Sequence, residues 1–213
     1  MERLRYIGKE LGEHLPFSII SVAAAIIIVG ILTFISEIVG TEEPAFYFRD
    51  LFHIFHPLHI LFSAIATTAM FWQHERNFLK ALFIGSAGSM GICGISDIFL
   101  PYLSGILLGS DMELHICVFH HYHIILPFLL LGLVGGFLAP GNIEKSGKVI
   151  FSHSLHVFIS ACASIMYLVS FGLSHWLHLV GWVLIYILLA VVIPCCISDI
   201  AFPLLLVKKR PAD

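Results

Sequence analysis

Charge is what this chain has least of. Only 12% of its 213 residues are Asp, Glu, Lys or Arg, about half the share of an ordinary soluble domain. Hydrophobic residues make up 59%, and mean hydropathy is +0.97. That balance argues against a solvated surface and points to one membrane domain spanning 1–213. The net charge of -3 and the absence of a basic stripe exclude a nucleic-acid partner. No Gly-x-Ser-x-Gly elbow occurs. The glycine-rich stretch from Gly85 to Gly94 lies in an apolar run and lacks a phosphate-loop lysine, so any coupled ATPase must be another chain. No cleavable leader is expected, because Glu10 and Glu13 precede the first apolar run and no small-residue cleavage site follows.

Cysteine is also sparse. Cys93, Cys117, Cys162, Cys195 and Cys196 all sit in apolar sequence, which disfavours a secreted disulfide framework. Cys117 and Cys162 read as small apolar side chains. Cys93 and Cys195, each one turn before a repeated aspartate, stand open between that reading and a ligand role.

What the chain does have is long apolar runs. A membrane helix needs about 20 such residues. Six candidates follow: Pro16 to Ile38, Leu51 to Trp72, Leu79 to Tyr102, His115 to Leu138, Val149 to Leu173 and Leu177 to Val207. Arg3, Arg5, Lys9, Arg76, Lys80, Lys145, Lys148, Lys208, Lys209 and Arg210 fall on one side of that topology and only Arg49 on the other. The facing loops hold Glu37, Glu42, Glu43, Asp50, Asp111 and Glu113. Basic loops stay inside, so both termini are expected in the cytoplasm and the chain in the plasma membrane.

Two blocks recur. Cys93-Gly94-Ile95-Ser96-Asp97-Ile98-Phe99-Leu100-Pro101 returns as Cys195-Cys196-Ile197-Ser198-Asp199-Ile200-Ala201-Phe202-Pro203. His56, His59, Ser63 and Ala64 return as His153, His156, Ser160 and Ala161. The fold class expected is therefore all-α: a polytopic membrane protein of six transmembrane helices in a 3+3 inverted repeat. The first three-helix repeat covers 1–110 and the second 111–213. An odd number of spans per repeat makes the two copies antiparallel, as in many secondary transporters.

The repeated residues carry chemistry. Asp97 and Asp199 are the acidic residues well inside apolar spans, where a carboxylate costs about 2.5–3.5 kcal/mol and needs a partner, a proton or a cation. Pro101 and Pro203 follow four residues later, and having no amide hydrogen they deprive the aspartate carbonyls of helical donors. His56 with His59, and His153 with His156, share helix faces at i, i+3 spacing. Two imidazoles, a carboxylate and a thiolate suit zinc first, with iron, cobalt, nickel or manganese also admitted, over magnesium or calcium. The candidate metal ligands are His56, His59, Cys93, Asp97, His120, His123, His153, His156, Cys195 and Asp199. His120 and His123 come from a dense stretch with His115 and His121, and His53 adds to that outer cluster.

These features lead to the expectation of a secondary transporter of divalent transition metals, proton-coupled, with an outer site around His56, His59 and Asp97 and an inner site around His153, His156 and Asp199. The alternatives are an intramembrane metalloenzyme (hydrolase or oxygenase) and a haem-binding electron carrier. Candidate partners are the metal ion as substrate, the lipid bilayer and a second copy of the chain in a homodimer. Close helix packing is expected at Gly85, Ser86, Gly88 and Ser89, and at Gly132, Gly135 and Gly136.

Overall fold

The computed structural model describes residues 2–40, 44–139 and 146–207. It is all-helical at 87% helix, with no strand among the described residues. In chain order the helices are α1 (Glu2–Val39), α2 (Pro44–His74), α3 (Phe78–Ala87), α4 (Leu100–Leu107), α5 (Cys117–His120), α6 (Tyr122–Leu138), α7 (Ser146–Ser170), α8 (Val180–Cys196) and α9 (Phe202–Leu206). Glu42, Glu43, Lys145, Lys208, Lys209 and Arg210, which bear on orientation, lie outside the described residues. So do the side chains of Arg3, Arg5, Lys9, Lys148, His153, Cys196 and Asp199.

Among the described residues, four segments are long and apolar enough to cross a bilayer: Leu15–Val39, Phe46–His74, Phe78–Leu107 and Leu177–Cys195. Tyr122–Leu138 and Ser154–Ser170 are shorter apolar helices. The molecule wears its apolar residues outside. Ile20, Ile27 and Phe34 on α1, Leu130 and Leu131 on α6, and Trp182 and Leu189 on α8 are all exposed. A monomeric soluble protein does not carry an apolar surface of that extent, whereas lipid solvates it.

Helix α7 is the axis of the fold. From Ile159 to Phe171 every residue is buried, as expected of a helix surrounded by others. Its small residues Ser160, Ala161, Cys162, Ala163 and Ser164 let α1 and α2 approach. On its other flank α2 meets α6 along a glycine face. A Cβ on Gly132 would lie 2.6 Å from the Leu61 carbonyl oxygen, and one on Gly136 would lie 2.6 Å from Thr68 Cβ. Trp176, fully buried, ties the connection before α8 to α1 by donating its Nε1–H to Thr33 Oγ1 at 3.1 Å.

The third apolar run is not one regular helix. Between α3 and α4 it widens into two π-helical turns, Gly88–Ile92 and Ile95–Phe99. A further π-helical turn, Ile197–Ala201, separates α8 from α9. Two of these turns are the two copies of Ile-Ser-Asp-Ile, and each is followed at once by a proline-led helix, with Pro101 in α4 and Pro203 in α9. Proline cannot donate to the carbonyl four residues back, so a wider turn with i to i+5 bonding is the local remedy. The Leu100 amide shows it, donating to the Ile95 carbonyl five residues earlier.

Candidate metal centre

His53, His56 and His59 follow one another at three-residue steps along α2, each turned about 60° from the last. Each step advances about 4.5 Å along the helix. The π-helical turn at Ile95–Phe99 brings Asp97 to this helix from the next apolar segment. Asp97 is fully buried, as are His56 and His59. Its Oδ2 accepts from His56 Nδ1 at 2.8 Å and from His59 Nδ1 at 2.7 Å. Its Oδ1 accepts from the Ser160 hydroxyl of α7 at 2.8 Å, and the Ser96 hydroxyl lies 2.9 Å away.

That pattern fixes the tautomers. An ionised carboxylate only accepts, so both imidazoles donate through Nδ1 and a neutral ring then keeps its lone pair on Nε2. This is the arrangement in which a carboxylate orients histidines for a metal and makes them more basic. His56 Nε2 is buried without a hydrogen-bond partner. His59 Nε2 faces two thiols, Cys93 Sγ and Cys195 Sγ, each at 3.6 Å. The His156 ring stands 4.5 Å from the His59 ring, centroid to centroid. His59, His156 and Cys195, all buried, each bring a donor atom within 4.8 Å of the other two.

The spacing suits a tetrahedral metal. Metal–nitrogen bonds of about 2.05 Å and metal–sulfur bonds of about 2.3 Å put neighbouring nitrogen and sulfur ligands about 3.6 Å apart. Both thiols meet that edge length from one nitrogen. The donor set, imidazole with thiolate, favours zinc, cobalt(II) or copper(I) over magnesium and calcium. Metal binding would deprotonate the thiols.

The two repeated blocks contact each other reciprocally. The Ser164 hydroxyl of α7 reaches the Ser96 carbonyl at 3.1 Å, and at the equivalent positions the Thr67 hydroxyl of α2 reaches the Ser198 carbonyl at 3.2 Å. Ser160 binds beside Ser96 on Asp97, while its counterpart Ser63 sits 3.1 Å from the Ser198 hydroxyl. His59 and His156 are one equivalent pair, and Cys93 and Cys195 another.

His56, His59, Cys93, Asp97, His156 and Cys195 are thus brought together. His59 and His156, assigned by sequence to separate outer and inner sites, share one cluster. Asp97 lies behind the imidazoles, with both carboxylate oxygens occupied by hydrogen bonds. The side chains of His153 and Asp199 lie outside the described residues. His120 and His123 are exposed and stand apart from this cluster; His120 Nδ1 donates to the Ile116 carbonyl at 3.0 Å. They start where the chain breaks at His121, whose φ of -129° and ψ of 33° interrupt the helix expected to begin at His115. Sequence reasoning gave Ser160, Ser164 and Thr67 no role. Their signal was the constant offset of 97 residues, which relates Ser63 to Ser160 and Thr67 to Ser164 as it relates the histidines.

No protein-family model, curated protein or solved structure matches the chain.

Proposed function

We propose that this chain is a secondary transporter of divalent transition-metal ions, zinc first among them, with iron, cobalt, nickel and manganese as the other candidate substrates. One observation carries the reading: equivalent residues of the two repeated blocks, His59 with His156 and Cys93 with Cys195, converge on one buried nitrogen–sulfur cluster. The proposed architecture is six spans in a 3+3 inverted repeat, with both termini in the cytoplasm and the chain in the plasma membrane. The reciprocal contacts of Ser164 with Ser96 and of Thr67 with Ser198 support that repeat. A site lying between antiparallel repeats is where rocking of one half against the other exposes a cargo to alternate sides. Proton antiport is the proposed coupling, because filling the site displaces protons from thiols.

The enzyme reading draws on the same convergence, since catalysis needs a single site. It also needs an open coordination position. Three donors lie mutually close, those of His59, His156 and Cys195, with Cys93 Sγ at 3.6 Å from His59 Nε2, so the preference for transport rests on the recurrence of equivalent residues rather than on the donor count. Haem fits poorly: two imidazoles on opposite faces of one iron need ring centroids about 6 Å apart, given iron–nitrogen bonds of about 2 Å, and these stand at 4.5 Å.

The test is flux. Proteoliposomes holding the protein and a metal-sensitive dye should accumulate zinc or cobalt from outside, with an opposing pH change inside. His59→Ala and Cys195→Ser should abolish uptake. No flux of zinc, cobalt, iron or manganese in either direction would refute transport.

A further inference from the structure

The geometry points to a second transition-metal site, formed by His53, His115 and Cys117. It shares no ligand with the central cluster. His53 lies six residues before His59 on α2, about 9 Å along the axis and about 120° around it, so the two groups occupy different levels of the molecule.

His53 and His115 are half-buried and Cys117 is buried. Their donor atoms all lie within 4.8 Å of one another. His53 Nε2 and His115 Nε2 stand 3.4 Å apart. That is the nitrogen–nitrogen edge of a tetrahedral site with bonds of about 2.05 Å. The ligands come from separate elements, α2, the connection before α5, and the start of α5, and the connection is held in place. The Tyr167 hydroxyl donates to the Glu113 carbonyl at 3.1 Å and accepts from the His115 amide at 3.0 Å. The Glu113 amide donates to the Phe171 carbonyl at 2.8 Å. The His115 ring stacks on Phe171 at 4.9 Å, nearly parallel. These contacts fix the position of His115 before any ion arrives, which lowers the ordering cost of binding.

Further imidazoles lead outward. His121 stands 4.3 Å from the His53 ring, and the exposed His123 stands 6.0 Å from His121. The flanking cation is turned aside: Arg49 lies over the Phe171 ring at 4.8 Å and pairs with Glu113 at 3.8 Å. Two imidazoles and one thiolate take a borderline or soft ion, such as zinc, cobalt(II) or copper. Water or His121 completes the shell.

Cobalt(II) chloride is the probe, because thiolate ligation gives it near-ultraviolet charge-transfer bands and tetrahedral geometry gives it visible bands. The full chain, purified in detergent, should bind two cobalt ions. The pair His53→Ala/His115→Ala should bind one, as should His59→Ala/His156→Ala. Cys117→Ser, which preserves shape, should remove part of the charge-transfer absorption. Two ions retained by His53→Ala/His115→Ala would overturn the proposal, and so would wild-type binding that these substitutions leave unchanged. One wild-type ion, lost only through His53 and His115, would uphold this site and remove the central one.

Discussion

Replacing Asp97 by Asn keeps the shape of the side chain and removes its charge, so it separates orientation of the imidazoles from ligation. The carboxylate holds His56 and His59 by Nδ1 and is itself held by the Ser160 and Ser96 hydroxyls. An amide has one acceptor oxygen for these four donors and brings two donors of its own. Loss of such an orienting partner typically costs 10–100-fold in metal affinity. Asp97→Asn should therefore weaken zinc binding at the central site by about that factor. Competition with a chelator of known affinity measures it. An unchanged affinity would mean that Asp97 serves only to hold helices together. The residues themselves were legible in sequence because ionisable groups stand out in apolar runs. Their roles were not: four hydrogen bonds on Asp97 come from three segments, and only the folded contact separates a ligand from the group behind it.

At the scale of elements, the glycine face between α6 and α2 sets the depth at which the histidine helix sits. A methyl on Gly132 would meet the Leu61 carbonyl oxygen at 2.6 Å and Ala64 Cβ at 2.7 Å, and backbone cannot move aside as a side chain can. Gly132→Ala should cost about 1–3 kcal/mol through overpacking. Gly181→Ala is the control, since nothing lies within 4 Å of its Cβ position. Thermal unfolding in detergent should show a lowered midpoint for the first and none for the second. Equal midpoints would contradict the close approach. Composition already marked this face. The π-helical turns were half legible: proline four residues after each Asp signalled a lost hydrogen bond, while the widened turn that answers it depends on the whole helix path.

For the whole molecule, an apolar exterior encloses a core of buried serines, threonines and histidines. Duplication could be read from letters alone, since Cys-x-Ile-Ser-Asp-Ile-x-x-Pro occurs twice. What letters do not encode is how the copies meet. A block repeated at an offset near 100 residues is compatible with two separate sites or with one shared site. Only the packing of α7 between α1 and α2 brings His156 to His59. The group of His53, His115 and Cys117 was hidden for a similar reason, because His53 and His115 are 62 residues apart.

X-ray absorption at the zinc edge tests the shared site most directly, using zinc-loaded protein that carries Cys117→Ser so that the second site contributes no sulfur. The expected coordination is mixed, sulfur at about 2.3 Å and imidazole nitrogen at about 2.0–2.1 Å, with the sulfur component lost in a Cys93→Ser/Cys195→Ser variant. Coordination by nitrogen and oxygen alone, or a sulfur signal that survives removal of both thiols, would contradict it.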